Sequence, residues 1–123
     1  MTRPPKYKHI VHAGIAQDLI DLGEEALKLK ALKTIMKVLA GEIIGKPLED
    51  FRSTGDLSDC RKVLFDIRTD MPPRFRLVYR EHLEYVDESS KFEIVAIETL
   101  AIGERYELEA YIKAATRLGR VGD

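Results

Sequence analysis

Lys62, Arg76 and Arg105, three cations from separate segments, and the late Tyr111 are the residues whose types and spacing could do chemistry. A phosphodiester cleaved without a metal needs positive groups to stabilise a crowded anionic phosphate. It also needs proton donors and acceptors at the attacking and leaving oxygens. Arginine suits the first task because its planar fork matches two phosphate oxygens, and a tyrosine can stack on a base or exchange a proton. The same residues also fit a structural part, with Arg76 and Arg105 paired to Glu98 or Glu104 and Tyr111 packed in the core.

Charge is segregated around these positions. Between Arg61 and Arg80, six cations (Arg61, Lys62, Arg68, Arg74, Arg76, Arg80) stand against Asp66 and Asp70. Between Glu81 and Glu109, nine acids stand against Lys91 and Arg105. Two readings are open: solvated faces of opposite sign, or a small cationic groove in an acidic body. With a net charge of −1 and a pI near 6.3, the whole chain lacks the strong basic balance usual for nucleic-acid binders.

Other reactive types are placed less well. His9 and His12 stand three apart on a predicted strand and face opposite ways, which disfavours joint metal binding. His82 has the titration range of an acid–base group, but nothing places it near Arg105. Cys60, the one cysteine, reads as a small packed side chain and excludes an internal disulfide and a zinc framework. Glu98 is a partner for an arginine.

The elements that position these residues follow from hydrophobic period. Lys8 to Ala13 reads as a first strand. Ile15, Leu19 and Leu22 at helical spacing predict a first helix that Gly23 interrupts. A second helix carries Leu27, Leu32, Ile35, Met36 and Leu39 as its apolar stripe, with acids at its start and lysines toward its end to suit the dipole. Gly41, Gly45 and Pro47 stop it near Ala40 and open a loop through Gly55-Asp56. From Arg61 to Arg68 the period becomes two, with Val63, Phe65 and Ile67 on one face and Lys62, Leu64 and Asp66 on the other. Past Met71-Pro72-Pro73, Phe75 to Arg80 alternates likewise and should pair with it as an antiparallel hairpin. A polar turn over Asp87 to Lys91 leads to Phe92–Ile102, apolar on both faces as an interior strand would be, which Gly103 ends. Tyr106 to Leu118 closes the chain as a helix, with Leu108, Ile112 and Ala115 at one spacing and Tyr111 and Ala114 adjacent. The order β-α-α-β-β-β-α predicts a small α+β domain over residues 1–123, a mainly antiparallel sheet with a helical pair on one face and the other face open.

At 123 residues the chain holds one domain of ordinary size, and 45% hydrophobic with 33% charged residues is enough for a core. No repeat or low-complexity segment is present. No apolar stretch approaches the ~20 residues that span a bilayer, and Met1 to Pro5 lacks a signal-peptide core. The expectation is a cytoplasmic protein without membrane contact.

Three blocks carry a family resemblance: Gly55-Asp56-Leu57-Ser58-Asp59-Cys60-Arg61-Lys62-Val63, then Arg74-Phe75-Arg76-Leu77-Val78-Tyr79, then Ile102-Gly103-Glu104-Arg105 followed by Tyr111. In this order, with the helix pair and Gly45-Lys46-Pro47-Leu48 before them, they resemble the RelE-like toxins of the RelE/ParE superfamily over about residues 8–118. The resemblance implies the toxin of a type II toxin–antitoxin pair, suppressed by a cognate antitoxin, whose ribonuclease members cut messenger RNA, commonly on the ribosome. It implies attack by the RNA's own 2′-hydroxyl, with no cofactor and no metal. It further implies that Arg76 contacts the phosphate, Arg105 stabilises its transition state, Tyr111 stacks on or orients the nucleotide, and Lys62 supplies positive charge. Arg61, Arg74 and Arg80 are the further cations expected to contact RNA. The chain departs from the family pattern at Leu64, where the best-known members carry a second lysine, and in its slightly acidic balance. A non-catalytic protein on the same scaffold, a gyrase-directed toxin or a phage-derived regulator that binds an antitoxin, is the alternative.

Overall fold

The computed structural model describes residues 3–51, 55–86 and 91–120. In chain order the elements are β1 (Lys8–Val11), α1 (Ile15–Asp21), α2 (Glu25–Leu39), β2 (Lys46–Pro47), β3 (Asp50–Phe51), β4 (Gly55–Asp56), β5 (Cys60–Phe65), β6 (Phe75–Tyr85), β7 (Phe92–Glu104) and α3 (Glu109–Arg117). A 3₁₀ turn over Tyr106–Leu108 precedes α3. This is a small α+β domain. Its five-stranded sheet runs β1-β7-β6-β5-β2, antiparallel except where β1 lies parallel to β7, and β3 and β4 form a separate two-stranded ladder.

The sheet is covered on both sides. On one, Ile15 of α1 and Leu27, Ala31, Ile35 and Val38 of α2 bury against Val63, Phe65, Phe75, Leu77, Tyr79, Ile97 and Ile102. Each large apolar side chain so buried contributes ~1.5–3 kcal/mol. On the other, Ala110, Tyr111, Ala114 and Ala115 of α3 pack on Val78, Leu100 and Ala101, with Leu48, Leu57 and Cys60 beside them. The second face is therefore not wholly open, as the element order suggested. Gly103 does not end β7 but lets α3 close on it, since a Cβ there would stand 3.0 Å from the Ala110 amide nitrogen.

Several boundaries differ from the periodic reading, each for a local reason. β5 stops at Phe65 because Asp66 turns the chain, its carboxylate accepting from the Ile67 and Arg74 amides at 2.8 and 3.0 Å. Ile67 is exposed in consequence. β6 continues past Arg80 to Tyr85 because β7 pairs with it that far. The predicted loop from Gly41 holds the short strands β2, β3 and β4, and of the turn expected over Asp87 to Lys91, residues 87–90 lie outside the described residues. In α2 the buried stripe is Leu27, Ala31, Thr34, Ile35, Val38 and Leu39, whereas Leu32 and Met36 are exposed. The last helix begins three residues later than its apolar spacing implies, because Glu107 and Leu108 adopt φ of 53° and 59°. Its packed face consists of Ala110, Ala114 and Ala115 with Tyr111, which leaves Leu108 and Ile112 exposed. Gly23 acts as the spacing predicts: at φ 78° it takes the left-handed conformation that follows a helix end.

β7 outruns β1. Beyond Thr99 its outer edge would present unpaired backbone groups, a liability in any sheet. Side chains from the helices cap it instead: the Ile102 amide donates to Asp18 at 2.9 Å, Arg117 donates to the Leu100 carbonyl at 2.8 Å, and Lys113 donates to the Ile102 carbonyl at 3.2 Å. The same arginine pairs with Asp18 through both nitrogens, so α1 and α3 are tied across the edge.

At the far edge, β2 is two residues long and needs other support. The Gly45 amide donates to the Tyr79 hydroxyl at 2.8 Å, Arg61 donates to the Gly45 carbonyl at 2.9 Å, and the Leu48 amide donates to the Cys60 carbonyl at 3.0 Å. A Cβ on Gly45 would sit 2.7 Å from the Lys62 carbonyl oxygen. Gly45→Ala is accordingly expected to push β2 off β5 and cost ~1–3 kcal/mol, measured by urea denaturation. An unchanged midpoint would show that β2 is not clamped in this way.

Candidate active site

Strand register assembles the site. Cross-strand neighbours lie on one face, so Lys62 stands level with Val78, and one row along Leu64 stands level with Arg76 and Arg76 with Gly103. These side chains project on the α3 side of the sheet. Lys62 is half-buried with its Nζ 5.9 Å from the centre of the Tyr111 ring, within range of a cation–π contact. Tyr111 is buried on α3, and no hydrogen bond reaches its hydroxyl among the described residues.

Arg76 is 6% exposed, an unusual state for a guanidinium. Its Nη1 donates to the Pro73 and Phe75 carbonyls at 2.9 and 3.0 Å. Its Nε is buried without a partner, and no carboxylate pairs with the group among the described residues. Such an unsatisfied donor costs ~1–3 kcal/mol unless something accepts from it.

Arg105 comes two residues after Gly103, the neighbour of Arg76, and its amide donates to the Arg74 carbonyl at 2.7 Å. It therefore emerges at the same end of the sheet as Arg76. Its side chain is exposed and makes no ion pair or hydrogen bond among the described residues. It lines a cleft of about 530 Å³ with Met71, Pro72, Pro73, Arg74, Glu104 and Tyr106, and Tyr106 is largely exposed there.

The remaining nominated cations are held by acids. Arg61 reaches Glu81 at 3.0 Å, Arg74 grips Asp66 through two nitrogens at 2.8 and 2.9 Å, and Arg80 meets Glu98 at 2.7 Å. The paired arginine holds the Asp66 carboxyl well below the usual range. Burial raises the Glu98 carboxyl, but hydrogen bonds from His82 and Arg80 outweigh it and bring it down. Glu98 thus pairs with Arg80 and His82, not with Arg76 or Arg105. Of the six cations between Arg61 and Arg80, with Arg68 on Asp70, only Lys62 and Arg76 lack an ion pair among the described residues. The cationic cluster of the sequence is mostly neutralised, and what stays positive is concentrated on one face.

The other reactive types have structural roles. His9 bonds Thr99 at 2.9 Å, and His12 accepts from the Gly14 amide at 2.9 Å. Burial, with help from Asp59, pushes the Cys60 thiol up to about 12, so it is not a nucleophile at neutral pH. Among the described residues no three His, Cys, Asp or Glu side chains are grouped as metal ligands.

One cation escaped the sequence reading. Lys46 of β2 stands directly opposite Lys62. A two-residue strand shows no period, so its only signal was its place between Gly45 and Pro47.

Comparison with known proteins gives no relative from which a role could be transferred: no family model, curated protein or solved structure matches the chain.

Proposed function

We propose that the protein is a RelE-like toxin of a type II toxin–antitoxin pair, a metal-independent endoribonuclease that cuts messenger RNA, on the ribosome, in the cytoplasm. The observation that carries this reading is the placement of Lys62, Arg76 and Tyr111 on one face of the sheet, with Arg105, which has no ion pair among the described residues, at its end. The RNA's 2′-oxygen bonds to the adjacent phosphorus as the phosphorus–5′-oxygen bond breaks, the 2′-hydroxyl proton passing to water and the 5′-oxygen taking a proton from water. The products are a 2′,3′-cyclic phosphate and a 5′-hydroxyl. Arg76 and Arg105 face the charge that builds on the non-bridging oxygens, Lys62 holds the backbone, and the Tyr111 ring orients the nucleotide.

A cognate antitoxin is part of the reading. The outer face of α2 leaves Leu29, Leu32 and Met36 exposed, with Lys33 and Lys37 beside them in sequence. An apolar partner helix with acidic flanks fits such a stripe. No helix among the described residues is long and apolar enough to cross a membrane.

Ion pairing of Arg61, Arg74 and Arg80 favours the second reading, a non-catalytic binder such as a gyrase-directed toxin. The test is purified protein on a translating-ribosome mixture with message ends mapped by primer extension. New ends on ribosome-bound message, which vanish where the residue 5′ to the cut is 2′-deoxy, are expected, and any cut of isolated RNA should persist in EDTA. Folded, antitoxin-free protein that makes no cut would overturn the ribonuclease reading and direct the work to gyrase supercoiling.

A further inference from the structure

We propose that Lys46 and Lys62 together form a second phosphate subsite, which holds the RNA phosphate next to the one on Arg76. The proposal rests on reading this face as a groove for an RNA strand. Lys46 and Lys62 are directly opposed in an antiparallel pair, so both side chains leave the same face with Cβ atoms ~4.5–5.5 Å apart. Like charges so placed repel, and a fold normally separates them or supplies a carboxylate. Here no acid pairs with either lysine among the described residues, and the only charge-related contact of Lys62 is the Tyr111 ring.

The juxtaposition is also built. Lys46 lies between Gly45, fixed by Tyr79 and Arg61, and Pro47, after which Leu48 bonds back to Cys60. A positively charged pair held at fixed separation without a counter-ion is a site for an anion. Its neighbours identify the anion's class. One row away, about 7 Å along the strands, stands Arg76, a further cation without an ion pair among the described residues. That is a spacing for successive phosphates of one strand. Leu64 occupies the place level with Arg76 on β5, so on this face the cation beside Lys62 comes from β2.

The probe is a fluorescently labelled single-stranded RNA with 2′-O-methyl groups throughout, which cannot be cleaved, followed by anisotropy over a range of KCl concentrations. Removing one lysine–phosphate interaction with a single strand lowers the salt dependence, d log K/d log [salt], by ~0.7. Lys46→Gln is expected to reduce that slope by about this amount and weaken binding roughly three- to tenfold at moderate salt. Because Lys46 is exposed, its melting temperature should not change. Lys8→Gln, exposed on β1 at the opposite edge of the sheet, should leave slope and affinity alone.

A Lys46→Gln slope equal to wild type would overturn the subsite, even if the wild-type protein cleaves RNA. Wild type that binds the probe with the expected slope change but never cuts RNA would support the subsite and sink the ribonuclease. Wild type that does not bind the probe would overturn the subsite. So would inorganic phosphate saturating the lysine pair with no added affinity for a strand.

Discussion

Arg105→Ala is expected to leave the protein folded and to slow message cleavage by roughly 10²–10³-fold, the loss typical when one preorganised donor to a developing oxyanion is removed. The prediction separates chemistry from stability because Arg105 is exposed and makes no side-chain ion pair or hydrogen bond among the described residues. Only its backbone is structural, the amide donating to the Arg74 carbonyl and the carbonyl accepting from the Leu108 amide, and alanine keeps both bonds. Urea midpoints should therefore agree within about 0.5 kcal/mol. Arg76 offers no such separation. Its guanidinium is buried on the Pro73 and Phe75 carbonyls, so Arg76→Ala removes packing and hydrogen bonds along with any catalytic charge. The readout for Arg105 is the single-turnover rate at saturating ribosome-bound message, with thermal unfolding run on the same preparation. A variant that cuts as fast as wild type would remove Arg105 from the transition state. A variant that lost both rate and stability would show that Arg105 has an anchoring role.

What the sequence made legible depended on how far each signal reached along the chain. The alternation from Val63 to Phe65 and from Phe75 to Tyr79 placed Lys62 and Arg76 on the face opposite the apolar core, and the register of β5 with β6 agrees. Helical spacing gave α1, and Gly23 marked its end. The failures came where tertiary contact outranks period. Leu32 and Met36 match a helical stripe as well as Ala31 and Val38 do, yet the helix buries the smaller residues against the sheet. The two-sided apolarity of Phe92–Ile102 already implied a covered second face. Two register shifts in the β6–β7 pairing, at Val78/Tyr79 and His82/Leu83, break the alternation, and Leu100 and Ala101 both pack with α3. No local pattern could pair Arg61 with Glu81 or Arg80 with Glu98, twenty and eighteen residues away. The charge run therefore suggested more exposed cation than the folded protein keeps. Lys46 was hidden for the opposite reason, since a strand of two residues is defined only by its neighbour.

Asp18→Ala should be the most destabilising single change, at ~3–5 kcal/mol, the usual cost of leaving a buried ion partner uncompensated. Asp18 is 2% exposed and serves four groups at once: both terminal nitrogens of Arg117, the Lys113 ammonium at 3.2 Å, and the Ile102 amide at the β7 edge. Removing the carboxylate strands the Arg117 guanidinium and an edge amide, while Lys113 keeps Glu109 at 3.0 Å, and unties α1 from α3. A domain of this size has ~5–15 kcal/mol in total, so a large part of its stability would go. Replacing Asp18 and Arg117 together, by Leu and Met, should recover part of the loss, because the uncompensated guanidinium leaves with its partner. Acid titration gives an independent check. Burial alone would raise the Asp18 carboxyl, but the hydrogen bonds from Arg117 and Ile102 and the charges of Arg117 and Lys113 outweigh it and hold it below its ordinary value. Asp59, bonded to Arg120, is lowered to about 2. A carboxylate that is more acidic folded than unfolded stabilises fully above the unfolded value of ~4, and its contribution is lost as pH falls toward the folded value. Wild type is thus expected to lose stability steadily below about pH 5, and Asp18→Ala to show a shallower acid slope as well as a lower plateau at neutral pH. Equal acid slopes, or a loss under about 1 kcal/mol at neutral pH, would show that the α1–α3 tie does not carry the edge of the sheet.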